Sequence, residues 1–305
     1  MTEDSAAAEK AFLDDLVMHR LLIPSGVPGV FGRGGVFEDV LERFDRFVVA
    51  SAAGDGAEVL RFPPVINRRD FERSEFLKSF PQLAGSVWSF EGTHEQHMQL
   101  LAHVHDGRDW SGLQKMTDVV LAPAACYPIY PMVSGTIPPK GHLFDVFSYC
   151  FRHEASGDPA RMQSFRMHEY VRVGEAEAVV AWRDMWVERG LGMLRTLGLP
   201  VGADVASDPF FGRGGKLLAV NQRDQKLKFE VLLPICSNEK PTAIMSSNYH
   251  QNHFGSIFGI KTPAGEVAHT ACMGFGMERV TLALFKTHGF VTAEWPGSVR
   301  KILWS

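Results

Sequence analysis

The segments F-R-H-E at Phe151–Glu154 and R-M-Q-S-F-R-M-H-E at Arg161–Glu169 carry charged residues at regular spacing on either side of a short connection. Arg152 and Glu154 are two positions apart, so they face the same side if their segment is a strand. The Asp158–Pro159 pair between the segments is typical of a turn. The pattern predicts two strands joined by a loop, which we interpret as part of a nucleotide site. An ordinary half-exposed hairpin has the same alternation.

Two motifs, in this order along the chain, resemble those of class II aminoacyl-tRNA synthetases. F-R-x-E, a loop, and R-x-x-x-F-x-x-x-E, in which Arg161, Phe165 and Glu169 recur four apart, resemble motif 2. The run G-F-G-M-E-R-V-T-L-A-L-F at Gly274–Phe285 resembles motif 3, a glycine turn opening a helix whose arginine faces ATP. The resemblance implies an α+β fold, an antiparallel sheet flanked by helices.

The same resemblance implies individual roles in ATP binding. Arg152 is expected to stabilise charge on the α-phosphate and Glu154 to hold the adenine end. Phe165 and Arg279 are expected to sandwich the base, while Arg161 holds the distal phosphates with Mg²⁺. Arg152 and Arg279 are therefore the candidate catalytic residues.

Further site residues come mainly from the polar segment that starts at Ala243. In class II enzymes of the seryl type, this neighbourhood lines the ATP and amino acid sites. The additional ATP-site candidates are Met162, Lys228, Ala243, Ile244, Met245 and Ser246. The amino acid candidates are Cys126, Glu169, Ser246 and Asn248.

Cys126, Glu169 and Cys272 are a candidate metal site, since one lies before motif 2, one ends it and one immediately precedes motif 3. Their spacing alone does not indicate zinc, and a lone cysteine is more often a small buried hydrophobe, as we expect for Cys150 and Cys236. A Cys/Glu/Cys set beside class II motifs resembles the atypical zinc-dependent seryl-tRNA synthetases and, more closely, their shortened relatives, the amino acid:[carrier protein] ligases. In that family the open zinc position takes the substrate's amino group.

Length and composition favour one catalytic domain over residues 1–305, with an extension at 1–90 packed on it. The chain has 305 residues, 45% hydrophobic and 22% charged, enough for one large core. A net charge of -4 without a basic tail, and roughly 20 residues after motif 3, predict no anticodon- or tRNA-binding domain. Four cysteines without a C-x-x-C pair, no signal peptide and no long apolar run predict a cytoplasmic protein without a membrane span.

Periodicity predicts several further elements. Val119–Pro128, a strand run carrying prolines, resembles motif 1, the helix-plus-strand with a proline that forms the class II dimer interface. Residues 176–197 predict an amphipathic helix whose Arg183, Arg189 and Arg195, beside Trp186, either pack on the sheet or form a docking face for an acidic partner. The other predictions are helices over 1–22, 37–49 and 95–104 and strands over 59–62, 217–220 and 225–233.

The resemblance implies an enzyme that activates glycine or alanine with ATP and transfers the aminoacyl group to the phosphopantetheine thiol of a carrier protein. A homodimer is expected, and no tRNA partner. The alternatives are an enzyme that charges tRNA and a non-catalytic paralogue that binds amino acid or nucleotide. A degenerate regulator is expected to lose Arg152, Glu154 or Arg279, and all three are present.

Overall fold

The computed structural model describes residues 3–237 and 239–305, apart from the side chains of residues 3–5 and 213. The strands are β1 Leu22–Pro24, β2 Phe31–Arg33, β3 Glu58–Arg61, β4 Val65–Asn67, β5 Ser86–Ser89, β6 Lys115–Leu121, β7 Gly135–Thr136, β8 His142–Phe151, β9 Ser164–Gly174, β10 Gly202–Val205, β11 Lys228–Leu233, β12 Thr242–Gln251, β13 Ile260–Lys261 and β14 His269–Gly276. The α-helices are α1 Glu3–Met18, α2 Gly35–Ala52, α3 Arg68–Arg73, α4 Phe76–Ser79, α5 His94–His105, α6 Ile129–Met132, α7 Ala176–Thr196, α8 Gly212–Asp224, α9 His253–Phe258, α10 Met277–His288 and α11 Gly297–Leu303.

A seven-stranded sheet in the order β10-β11-β12-β14-β9-β8-β3 forms the centre of the molecule. Neighbouring strands are antiparallel except β3, which pairs with β8 in parallel at one edge. Strands β8, β9 and β12 are long and rich in aromatic and β-branched residues, which favour a pleated, buried surface. The predicted α+β fold with an antiparallel sheet flanked by helices is confirmed.

One face of this sheet is covered by α2, α7 and α10. Apolar residues of these helices pack against inward-facing sheet residues such as Tyr170, Met273 and Phe275 in the main core. Phe44 of α2 meets Phe275 edge to face at 5.3 Å, and Trp186 of α7 stacks on Tyr170 at 5.0 Å. With this face filled, the opposite face is the one available to a site.

Two smaller layers border the opposite face. A second buried cluster brings α6 and α9 against Val171 of β9 and Cys272 of β14. A three-stranded sheet in the order β4-β6-β5 lies over a third cluster, which includes Phe71 and Phe76. None of the helices in the described part of the chain is long and apolar enough to cross a membrane.

Two antiparallel strands joined by a loop are present at motif 2, as predicted: β8 and β9 pair from His142↔Val173 to Phe151↔Ser164. The predicted first segment, Phe151–Glu154, overlaps β8 only at Phe151. Arg152 and Glu154 lie beyond the end of β8, in the loop from 152 to 163, and so does Arg161. The prediction that Arg152 and Glu154 share a strand face is therefore wrong, because the ladder ends one residue before Arg152.

The placement of motif 1 at Val119–Pro128 is also wrong. In that run only the residues up to Leu121 form a strand, and this strand joins the small sheet. A helix followed by a strand and a proline occurs instead at α2, β3 and Pro63–Pro64. The strand predicted at Leu217–Val220 is likewise wrong, because these residues lie within helix α8.

The predicted helix over 176–197 is confirmed as α7, but its proposed docking face is wrong. Trp186 is fully buried, and Arg183 is only 5% exposed. Arg189 lies over the Trp186 ring and pairs with Asp55. Among these arginines Arg195 alone is exposed, so the helix follows the alternative in which it packs on the sheet.

Candidate active site

Strand register collects the polar candidates on the open face of the large sheet. Asn248 of β12 pairs with Cys272 of β14, and Ser246 pairs with Gly274, which in turn pairs with Glu169 of β9. Directly paired residues of antiparallel strands face the same side, and residues two apart along a strand do so as well. Four of the predicted side chains therefore converge on one face from three adjacent strands.

Cys126, Glu169 and Cys272 meet as predicted. Their ligand atoms, two sulfurs and a carboxylate oxygen, all lie within 4.8 Å of one another, and all three residues are buried. Cys126 reaches the site from the turn after β6, while the other two project from the sheet. The backbone N–H of Ala125 donates to Glu169 Oε1 at 2.7 Å and holds the carboxylate in place.

A glycine makes room for this cluster. A Cβ atom placed on Gly274 would stand 2.9 Å from Cγ of Glu169, closer than carbon atoms ordinarily approach. A side chain at this position of β14 would push the carboxylate away from the two sulfurs. The first glycine of the run that resembles motif 3 is thus required within β14, where it faces Glu169.

The protonation of the cluster reflects its burial. Removal from water, together with the charge of Cys272, raises the pKa of Glu169 to about 8. A hydrogen bond from the Cys126 thiol, aided by contacts from His250 and Asn248, lowers the pKa of Cys272, while the same hydrogen bond raises the pKa of Cys126. Two sulfurs and a carboxylate are donors that suit zinc, and a buried group of three acidic side chains fits a divalent cation.

Arg152 lies between this cluster and Phe165. Its Nε donates to the carbonyl of Pro123 at 2.9 Å, and its guanidinium carbon is 5.5 Å from the centre of the Phe165 ring. Its charge also stabilises the ionised form of Glu169. The half-buried guanidinium is therefore positioned beside the cluster, as expected for a group that acts on the reacting phosphate.

Phe165 and Arg279 line one narrow cavity next to Arg152. Arg279 is fixed by two bonds to backbone carbonyls, from Nε to Ala160 at 2.8 Å and from Nη1 to Ala243 at 3.0 Å. The cavity is lined by the two residues predicted to sandwich the base, Phe165 and Arg279, and by one further ATP-site candidate, Met162. Its lining is Ala160, Met162, Phe165, Gly276, Glu278 and Arg279.

Three other predicted site residues, Arg161, Glu154 and Lys228, form ion pairs within the protein. Arg161 Nη1 pairs with Glu154 Oε2 at 3.0 Å in the loop after β8. Lys228 Nζ contacts Asp208 Oδ1 at 2.6 Å and Glu230 Oε1 at 2.8 Å. Burial opposes the charge of Lys228, but these carboxylates outweigh it and raise its pKa.

Ile244 and Met245 do not project into the site. Both side chains are buried in the main core beneath the sheet, on the side of α7 and α10. Only their backbone atoms are available to a nucleotide, since a core side chain cannot reach it. Ala243 contributes through its carbonyl, which accepts from Arg279, and Ser246 is half-buried on the open face.

Sequence reasoning missed His250 and Tyr130. His250 Nε2 lies 3.6 Å from Cys272 Sγ, and Tyr130 is fully buried in the cluster of α6 and α9 that contains both cysteines. The available signal was the position of His250 in the polar segment that starts at Ala243, two residues after the amino acid candidate Asn248. Tyr130 gave no comparable signal, because its approach depends on the turn after β6.

Solved structures with this fold include aminoacyl-tRNA synthetases. Seryl-tRNA synthetase of M. kandleri, in a complex with A. aeolicus tRNASec, superposes with a TM-score of 0.82 at 21% identity. The match covers 96% of this chain but 60% of that synthetase chain. The fold is therefore that of the class II aminoacyl-tRNA synthetase catalytic domain.

Curated relatives define the family more narrowly. "Amino acid--[acyl-carrier-protein] ligase 2" of Bradyrhizobium diazoefficiens is 46% identical over 95% of this chain and 86% of its own length. "Amino acid--[acyl-carrier-protein] ligase 1" of the same organism is 44% identical over 95% of this chain and 89% of its own length. No protein-family model matches. The chain belongs to the family of amino acid–carrier protein ligases.

Proposed function

We propose that the protein activates glycine or alanine with ATP and transfers the aminoacyl group to the phosphopantetheine thiol of a carrier protein. The observation that carries the proposal is the convergence of the buried Cys126, Glu169 and Cys272 cluster with Arg152 on one face of the sheet. The three-residue cluster fits the amino group of an amino acid, and Arg152 fits a phosphate of ATP. Family membership supports the carrier protein as acceptor.

In the first step a carboxylate oxygen of the amino acid attacks the α-phosphorus of ATP. The new O–P bond forms as the bond to pyrophosphate breaks, giving aminoacyl-adenylate, and Mg²⁺ accompanies the polyphosphate. Arg152 offsets the negative charge that builds on the α-phosphate. Phe165 and Arg279 hold the adenine in the cavity between them.

In the second step the sulfur of the carrier's phosphopantetheine attacks the carbonyl carbon of the adenylate. The new C–S bond replaces the C–O bond, AMP leaves with its electron pair, and the thiol proton is lost to solvent. No side chain of the protein needs to form a covalent bond with the substrate.

Cys126, Glu169 and Cys272 would hold a zinc ion. When bound, the ion supplies an electrophilic position for the substrate's amino group, because three protein ligands leave a fourth position open. The side chains then fix the amino acid by its amino end and leave its carboxylate toward Arg152. Tyr130 and Phe254, whose rings stack at 3.8 Å, lie in the same buried cluster as the two cysteines. The resemblance to the ligase family supports glycine or alanine.

Helix α8 is our candidate docking surface for the carrier protein, in place of α7. Leu217 is 73% and Val220 55% exposed, and Lys216 and Arg223 on the same helix are also exposed. Carrier proteins are often acidic, so an apolar surface with exposed cations complements them. Asp208, in the loop before α8, interacts electrostatically with Arg152, which brings the start of the helix close to the site.

We also propose a homodimer, as the class II fold favours. Light scattering of the purified protein tests this proposal, and a mass equal to one chain of 33.9 kDa at all concentrations contradicts it.

The central experiment is pyrophosphate exchange with each of the twenty amino acids, followed by transfer of the labelled amino acid. Acceptors are holo carrier protein, apo carrier protein and total tRNA. Exchange with glycine or alanine and label on the holo carrier alone are expected. Label on tRNA, or equal label on the apo form, contradicts the proposed acceptor.

A further inference from the structure

The ring of His250 spans two residues on the neighbouring strand. Its Nε2 atom is 3.6 Å from Cys272 Sγ, and its Nδ1 atom is 3.0 Å from Thr270 Oγ1. Thr270 and Cys272 are two apart on β14, so both face the open side of the sheet. The pairing of β12 with β14 shifts between Tyr249 and Gln251, which leaves His250 as the extra residue of a bulge. Bulges commonly redirect a side chain.

The two contacts define the tautomer of the ring. A thiolate sulfur accepts hydrogen bonds and has no proton to donate, so Nε2 must carry the proton that points at Cys272. In a neutral ring Nδ1 is then bare and accepts a hydrogen bond from the hydroxyl of Thr270. The fully buried Thr270 therefore specifies which ring nitrogen faces the sulfur.

Aromatic packing fixes the ring in this orientation. Phe254 meets it at 5.0 Å and 77°, and Tyr130 at 5.9 Å and 82°. Tyr130 and Phe254 in turn stack on each other at 3.8 Å. The imidazole is thus held edge-on against two rings and cannot turn away from Cys272 without disturbing them.

We propose that His250 is a positioning residue of the metal site, which orients the sulfur of Cys272 and raises the affinity of the cluster for its ion. This inference rests on the proposed binding of a divalent cation by Cys126, Glu169 and Cys272. Two thiolates and a carboxylate carry one negative charge more than a divalent ion neutralises. N–H groups from His250 and Asn248, the latter 3.6 Å from Cys272 Sγ, offset that excess at one sulfur.

The test measures zinc affinity of the full-length protein by competition with a chromogenic chelator, without any assay of activity. His250→Ala is expected to weaken affinity by about 10- to 100-fold, the usual effect of losing a hydrogen bond to a metal ligand. Thr270→Val, which removes the hydroxyl and keeps the shape, is expected to weaken it in the same direction. His250→Gln is expected to restore part of the affinity, because its amide can donate a proton.

The control is His269→Ala. The ring of His269 forms a hydrogen bond with the hydroxyl of Tyr249 and contacts none of the three cluster residues in the described structure. Its zinc affinity is expected to stay at the wild-type value. Unchanged affinity in His250→Ala, with circular dichroism like that of the wild type, overturns the inference.

Cys272→Ser separates this failure from failure of the metal site itself. If Cys272→Ser loses zinc while His250→Ala retains wild-type affinity, the metal site stands and the positioning role is wrong. If Cys272→Ser keeps stoichiometric zinc, the cluster is not the metal site, and both proposals fall.

Discussion

Arg152 and Arg279 have different surroundings, which separates their expected contributions. Arg152 has one hydrogen bond to a backbone carbonyl and lies beside the Cys126, Glu169 and Cys272 cluster, whereas the equally half-buried Arg279 donates to two carbonyls beside Phe165. We propose that the first acts on charge that develops during the reaction. The second lines the cavity that we propose receives the base.

Arg152→Ala is expected to lower the rate of pyrophosphate exchange by about 100-fold or more, because it removes charge stabilisation at the α-phosphate. Arg279→Ala is expected mainly to raise KM for ATP. The exposed Arg195→Ala on α7 is the matched control and should keep wild-type exchange kinetics. Near-normal exchange in Arg152→Ala contradicts the assigned role.

Gly274→Ala is expected to lower zinc affinity by about 10-fold while the protein remains folded, since the new methyl group displaces Glu169. Chelator competition and thermal unfolding measure the two effects. Gly54→Ala is the control, because a Cβ at Gly54 meets no atom within 4 Å. Wild-type zinc affinity in Gly274→Ala would show that the carboxylate does not need this space.

At the scale of elements, His168 joins helix α2 to the large sheet. Its Nδ1 lies 2.6 Å from Asp45 on α2, and its Nε2 lies 3.3 Å from Asp145 on β8. Burial disfavours the charged ring, but hydrogen bonds and charge from Asp145 and Asp45 outweigh it and raise the pKa of His168. A protonated ring hydrogen-bonds Asp45 and places its positive charge beside Asp145, so the link between helix and sheet depends on pH.

The contribution of His168 to stability is expected to fall as pH rises. Since its folded pKa lies above the unfolded value of about 6.5, the stabilisation is full below that pH and is lost as pH rises through the folded pKa. The difference in free energy of unfolding between wild type and His168→Gln should therefore be larger at pH 6 than at pH 9. Urea unfolding measures it, with exposed His105→Gln as control. A difference that does not change with pH contradicts this link.

Sequence patterns predicted elements well where periodicity was long. Helices α2, α5 and α7 agree with prediction to within a few residues, whereas the first predicted strand of motif 2, Phe151–Glu154, shares only Phe151 with β8. The short apolar run Leu217–Val220 was assigned the wrong structure, because four apolar residues fit a strand and one turn of a helix equally well. The ends of β8 were missed for a related reason: alternation continued through Arg152 although the ladder had ended.

At the scale of the whole molecule, prediction of the site depended on motif resemblance more than on spacing. The meeting of Cys126, Glu169 and Cys272 followed from the family likeness, and the structure brings them together. The burial of Arg183 and Trp186 could not be deduced, since an amphipathic helix does not reveal which of its charged residues another element covers. His250 was missed because the direction in which its side chain points depends on a β-bulge.

Leu217→Glu on α8 is expected to raise KM for the carrier protein at least about tenfold and to leave pyrophosphate exchange unchanged. The substitution places a negative charge on the surface proposed to receive an acidic partner. Leu101→Glu on α5 is the control, because it makes the same change at an exposed residue of another helix. Equal transfer kinetics in the two variants would exclude α8 as the docking surface.

The proposed metal donors come from three distant segments, which has a consequence for biosynthesis. Cys126 and Cys272 are 146 positions apart (272 minus 126), and Glu169 lies between them. A chain emerging from the ribosome cannot assemble the donor set until β14 has left the exit tunnel and paired with β9. We therefore expect zinc to be acquired late in synthesis, by a chain whose central sheet has already formed. Binding of the ion would then indicate that the central sheet is complete.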